Sequence, residues 1–105
     1  MPTREIAGVQ VEVDAEGFMT NPQQWSEAVA AVLAKEEGID PLTDAHWKVL
    51  KFMREDFLEK GQVATIRRLN KVGGIATKDL YDLFPQGPAK KAAKIAGLSK
   101  PQGCV

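Results

Sequence analysis

The chain has 105 residues, 44% apolar and 27% charged, which suffices for one hydrophobic core and is too few for two. This balance excludes a disordered chain. No apolar run approaches the roughly 20 residues of a bilayer span, so no membrane insertion is expected, and the N-terminus lacks a signal-peptide core. The one cysteine forms no intramolecular disulfide, nothing indicates an oxidising compartment, and the cytoplasm is the expected location.

The formal net charge is zero, yet the two halves differ. Residues 1–61 carry 6 Lys/Arg against 12 Asp/Glu, and residues 62–105 carry 8 against 2. Two readings stay open at this point. The basic half meets an anionic or acidic partner, or the halves neutralise one another within the fold.

In chain order, Val9, Val11 and Val13 alternate with polar residues, the period of a half-buried strand. Ala7-Gly8 turns this strand back on residues 4–6 as a hairpin, and residues 14–17 form a second turn with Gly17 at positive φ. Asn21-Pro22 predicts a helix start, with an N-cap followed by proline at the first helical position. Trp25, Val29, Val32 and Leu33 follow as its apolar stripe, and Gly38 as its C-cap. Thr43 opens a longer helix presenting Trp47, Leu50, Met53 and Phe57 and ending at Gly61. A short helix over 65–72 stops at Gly73-Gly74. Thr77 caps another over 78–84, which Pro85 ends. Pro88 starts the last helix, with Ala89, Ala92, Ala93 and Ala96 on one face and Lys90, Lys91 and Lys94 on the other. Beyond Gly97, residues 98–105 show no periodicity and contain Pro101 and Gly103.

The expected fold is mainly α: a small orthogonal helical bundle with an N-terminal β-hairpin and a flexible C-terminal arm. Residues 1–97 form the single domain and 98–105 the mobile arm. Eight residues beyond Gly97 reach about 26–29 Å when extended.

Few constellations carry chemistry. One His and one Cys, with no paired spacing, do not make a metal site, and no phosphate loop or dinucleotide fingerprint occurs. No cofactor is expected, and His46 reads as a packing or surface histidine. The short helices on either side of Gly73-Gly74 have helix-turn-helix proportions, with Arg67, Arg68, Lys71 and Lys78 as phosphate contacts. This makes nucleic-acid binding the alternative function. Asp79 and Asp82 would repel phosphates, and no base-reading set is present, so direct nucleic-acid binding is disfavoured. Cys104 stands apart. A penultimate cysteine after Gly103 does not suit burial, and a thiol on a tether could enter a partner's active site. An incidental terminal cysteine is the competing reading.

The C-terminal sequence Leu83-Phe84-Pro85-Gln86-Gly87-Pro88-Ala89-Lys90, then Lys94-Ile95-Ala96-Gly97-Leu98, then Lys100-Pro101-Gln102-Gly103-Cys104-Val105, closely resembles the signature of the DsrC/TusE family. Fainter matches are Val13-Asp14 with Gly17-Phe18, Asn21 with Trp25, His46-Trp47, and Ile66-Arg67 with Leu69, so the resemblance spans residues 9–105. It implies a mostly helical fold and makes Cys104 the carrier thiol of a persulfide relay. The protein would be a co-substrate rather than a stand-alone enzyme. Its implied partners are sulfur-donor and sulfur-acceptor proteins: a sulfurtransferase complex with a tRNA thiolation enzyme in TusE-like members, or a siroheme sulfite reductase in DsrC-like members. DsrC proteins have a second cysteine where this chain has Ala93, so an arm-to-helix disulfide or trisulfide cannot form here. That suits the TusE-like branch, although alanine is also a near-isosteric replacement for cysteine. The short stretch 70–81 resembles the sulfite-reductase branch. Both branches remain open on these residues.

Overall fold

The computed structural model describes residues 3–39, 42–85 and 87–99. Strand β1 (Thr3–Ile6) pairs antiparallel with β2 (Val9–Glu12), placing Thr3 opposite Glu12 and Ile6 opposite Val9. The two-residue turn has Ala7 at φ 53° and Gly8 at φ 79°. Both are in the left-handed region that lets such a turn match strand twist. The expected valine face is only partly inward. Val11 and Val13 are buried, but Val9 is 40% exposed, beside the exposed turn residues. Asp14 folds the next turn onto itself, its Oδ1 accepting from the N–H groups of Glu16 and Phe18, both at 2.9 Å. The chain then returns as a bridge between Val13 and Met19, and Phe18 and Met19 enter the core.

The first long helix begins later than its sequence predicts. Asn21 does cap, accepting from Gln23 N–H at 3.1 Å, but what it caps is only a 3₁₀ turn over Pro22–Gln24. Trp25 is then extended, and Ser26 starts helix α1 (Glu27–Glu36) by accepting from Val29 N–H at 3.2 Å. Tertiary bonds break the run. The Gln24 side chain accepts from Glu12 N–H at 2.8 Å, and the Trp25 indole is drawn to the far end of the chain. Val29 and Leu33 keep the predicted buried stripe. Gly38, at φ 82°, closes α1 with Ile39 N–H donating back to Ala34 O at 2.8 Å.

Helix α2 (Asp44–Lys60) starts at Thr43 and ends at Gly61 in the left-handed region. Its capping box uses a histidine: Thr43 N–H donates to His46 Nδ1 at 3.0 Å. Since Nδ1 accepts there, Nε2 carries the proton and donates to Leu83 O at 2.9 Å. His46 also meets the Phe84 ring edge-on at 5.2 Å. It is therefore a buried strut joining the start of α2 to the end of a later helix. Leu50 and Met53 are fully buried as expected, whereas Trp47 and Phe57 are only partly covered.

Thr65 caps helix α3 (Ile66–Lys71) through Arg68 N–H at 3.2 Å. Helix α4 spans Thr77–Leu83, and here Thr77 is not the cap. Ala76 occupies that position without a side-chain bond, while the Thr77 hydroxyl donates to Asn70 Oδ1 at 2.9 Å. Asn70 in turn donates to Ile75 O, so it secures the turn from both sides. Helix α5 (Pro88–Ile95) packs against α1, α2 and α4. Ala89, Ala92, Ala93 and Ala96 are all fully buried, because methyl-sized side chains let three helices approach one short helix closely.

The fold is thus mainly α, with five α-helices and one two-stranded hairpin among the described residues. If Ser26 rather than Asn21 starts α1, Ser26→Ala lowers unfolding free energy by about 1 kcal/mol. Urea unfolding followed by helical circular dichroism measures it.

Candidate functional site at the root of the tail

The last carbonyls of an α-helix lack partners within the helix. In α5 every one of them is satisfied, two by the turn that follows and two from across the fold. Gly97, at φ 73°, allows the chain to double back, so that Leu98 N–H donates to Ala93 O at 2.9 Å and Gly97 N–H to Lys94 O at 3.2 Å. This pair of bonds is a Schellman closure. Trp25 Nε1–H donates to Ile95 O at 2.9 Å. Arg54 Nη1 donates to Ala96 O at 2.8 Å, while its Nη2 reaches Pro22 O at 3.0 Å.

The two long-range donors also hold each other. The Arg54 guanidinium lies 4.2 Å from the centroid of the Trp25 ring, a cation–π contact. Burial pushes the Arg54 guanidinium down from its usual value, yet an arginine stays protonated at neutral pH. Its positive charge therefore faces the negative end of the α5 dipole. Gly97 is required here for a second reason. A Cβ at that position would fall 2.5 Å from Trp25 Cδ1 and 2.8 Å from Trp25 Cβ. The indole thus lies directly against the backbone of the turn.

Leu98, expected as the first residue of the arm, is only 1% exposed and belongs to the core cluster. Ser99 is exposed. Cys104, and the arm expected over 98–105 from Lys100 onward, lie outside the described residues. Ala93 is 0% exposed, so its methyl faces the packed interior.

The charged groups answer the question left by the uneven sequence. Arg68 makes a forked contact with Asp56, Nε at 2.8 Å from both carboxylate oxygens and Nη2 at 2.6 Å from Oδ1. The Asp56 hydrogen bond holds the Arg68 guanidinium above its ordinary value. Lys94 Nζ lies 3.7 Å from Glu37 and 5.8 Å from the Phe18 ring centroid. Both pairs join a cation of the basic half to an anion of the acidic half, so part of the asymmetry is neutralised internally. Lys90 remains exposed.

Those pairings do not support the nucleic-acid alternative. Of its four cations Arg68 is held by Asp56, and Asp79 and Asp82 are exposed on α4. A groove of ≈ 250 Å³ runs between α2 and α4, where Val49, Ile75 and Leu83 adjoin Lys48, Asp79 and Asp82. It does not include the tail root. Among the described residues there is no cluster of three metal-ligating side chains, and no helix is long and apolar enough to cross a membrane.

Trp25 and Arg54 were not legible as site residues. Trp25 reads as one more apolar stripe position, and nothing near Arg54 in sequence marks its carbonyl partners 32 and 42 residues away.

The family described as DsrC like protein matches residues 5–105. Curated relatives include the sulfurtransferase TusE of Escherichia coli strain K12, 45% identical with 93% of this chain and 95% of that protein covered. The sulfurtransferase TusE of Sodalis glossinidius is 42% identical, with 96% and 99% covered. Among solved structures, Allochromatium vinosum DsrC is 41% identical with a TM-score of 0.81, covering 98% of this chain and 97% of that one. The crystal structure of dissimilatory sulfite reductase I (DsrI) is 37% identical with a TM-score of 0.87, covering 99% of this chain and 100% of that one. The chain belongs to the DsrC-like family, and its role is that of a sulfur-relay protein.

If the tail begins beyond Leu98, Leu98→Ala costs about 2–5 kcal/mol of stability. Ser99→Ala stays within about 0.5 kcal/mol of the unchanged protein. Denaturant unfolding of the two variants side by side measures the difference.

Proposed function

We propose that Cys104 is the thiol on which this relay protein carries sulfur, in the reducing cytoplasm, between a persulfide donor protein and an acceptor enzyme. The observation that carries the reading is a combination. The chain's single cysteine is penultimate in a sequence matched to the family through residue 105, and it follows a helix end whose exit is fixed by Trp25 and Arg54. The Cys104 thiolate attacks the outer sulfur of a donor persulfide, R–S–SH. The donor's S–S bond breaks as a new one forms, giving Cys104–S–SH, and the donor leaves as its thiolate. The transferred sulfur keeps its proton, and there is no net oxidation. Delivery repeats the exchange with an acceptor as the nucleophile, which calls for no acid–base residue in this chain.

Ala93 supports a TusE-like assignment, with delivery toward tRNA 2-thiouridine synthesis. With one cysteine in the chain, no bridge between helix and tail can compete with single-thiol relay. A DsrC-like assignment, with a siroheme sulfite reductase as partner, is supported by the DsrI likeness at TM-score 0.87.

Incubated with a rhodanese-type sulfurtransferase carrying a cysteine persulfide, the protein gains one sulfur by intact mass, and Cys104→Ala gains none. A gain that persists in Cys104→Ala, or an unchanged mass in the unaltered protein, overturns the proposal. Affinity purification from the native host then separates the branches: a tRNA thiolation enzyme retained in the complex supports the first, and a siroheme enzyme the second.

A further inference from the structure

We infer that Trp25 and Arg54 are positioning residues of the relay, setting the direction in which the tail leaves the domain and so where its thiol is presented. The inference rests on Cys104 being the carrier. Arg54 comes from the middle of α2 and Trp25 from the extended link before α1, and both donate to the end of α5, to the carbonyls of Ala96 and Ile95. The price is visible locally, since Trp25 interrupts what its own sequence would continue as a helix. The backbone closure by Gly97 and Leu98 ends α5, but Ile95 and Ala96 are fully buried, so their carbonyls cannot turn to water and need donors from within the fold. Trp25 and Arg54 meet that need.

What the extra donors add is orientation. The indole lies against Gly97 closely enough to exclude a Cβ, and the Arg54 fork ties Ala96 O to Pro22 O. Leu98 is buried in the core. The backbone at 96–98 is thus held by side chains as well as by its own turn, and the chain emerges at Ser99 from a fixed root. A thiol on a short tether searches a volume set by its length and by the direction of its anchor. Fixing the anchor concentrates the thiol where a partner docked on that side would receive it.

The test uses Trp25→Phe, which keeps a ring but loses the indole donor, and Arg54→Met, which keeps chain length but loses the fork. Arg54→Lys keeps the charge and a single-point donor. Thr65→Ala, which removes the cap of α3, serves as a control that lowers stability away from the root. In the first arm, a nitroxide on Cys104 broadens amide signals of the domain. The expected result is broadening confined to one sector in the unaltered protein and in Thr65→Ala. It spreads over the surface in Trp25→Phe and Arg54→Met, and Arg54→Lys lies between. In the second arm, the persulfide-bearing rhodanese-type protein and glutathione persulfide are compared as donors. The root variants raise KM for the protein donor by about 5-fold at unchanged kcat, while their rate with glutathione persulfide stays that of the unaltered protein.

Identical broadening in folded variants, or equal losses with both donors, overturns the inference. So does a Thr65→Ala control that behaves like the root variants. Should Trp25→Phe or Arg54→Met fail to fold, inserting two glycines after Ser99 frees the tail without touching the root and must give the same spread. Failure of Cys104 to load at all is a different outcome. It removes the carrier reading, and the broadening pattern is measured independently of sulfur chemistry.

Discussion

The carbonyl end of α5 has four groups that its own helix cannot satisfy, and the rest of the fold supplies a partner for each. Two come from the turn at Gly97 and Leu98, one from Trp25 and one from Arg54. Much else follows from that requirement. The chain must be extended at Trp25 for the indole to reach Ile95, so α1 starts at Ser26 after a broken first turn. Position 97 must be glycine, for its φ and because the indole occupies the space of a side chain. Helix α2 must be long enough to carry Arg54 to the same end. The alanine face of α5 then lets α1, α2 and α4 close around it.

Buried polar contacts elsewhere serve the same centre. His46 satisfies the start of α2 with one ring nitrogen and the Leu83 carbonyl with the other. It thereby locks α4 beside α2 just before the chain enters α5. Asp56 and Arg68 tie α3 to α2, and Arg68 itself covers a carboxylate that is only 5% exposed. No buried side-chain polar atom among the described residues lacks a hydrogen-bond partner. A small domain held this way presents a fixed frame. The lysines of α5 serve the frame in part, Lys94 being spent on Glu37 and Phe18, with Lys90 left to face outward.

Family membership and geometry bear on different parts of the function. The sequence match and the solved structures establish sulfur relay as the role. They do so at similar identity for proteins named as TusE and for those named as DsrC. The chain itself carries one cysteine, and position 93 is a fully buried alanine.

Much of this protein was determined by local sequence. The hairpin turn at Ala7-Gly8, the caps at Thr43 and Thr65, the stops at Gly38, Gly61 and Gly97, and the alanine face of α5 all depend on residues within one helical turn of each other. Such features are readable because turn geometry and capping are short-range. What only the tertiary structure decided lies at longer range. Asn21-Pro22 is as good a helix start as Ser26 on local grounds, and it yields because Gln24 and Trp25 find partners elsewhere in the chain. Thr77 has the chemistry of a cap but gives its hydroxyl to Asn70. Leu98 looks like the start of a loose tail, yet the core has room for it. The roles of Trp25 and Arg54 depend on carbonyls 70 and 42 residues away, a separation at which no spacing rule operates.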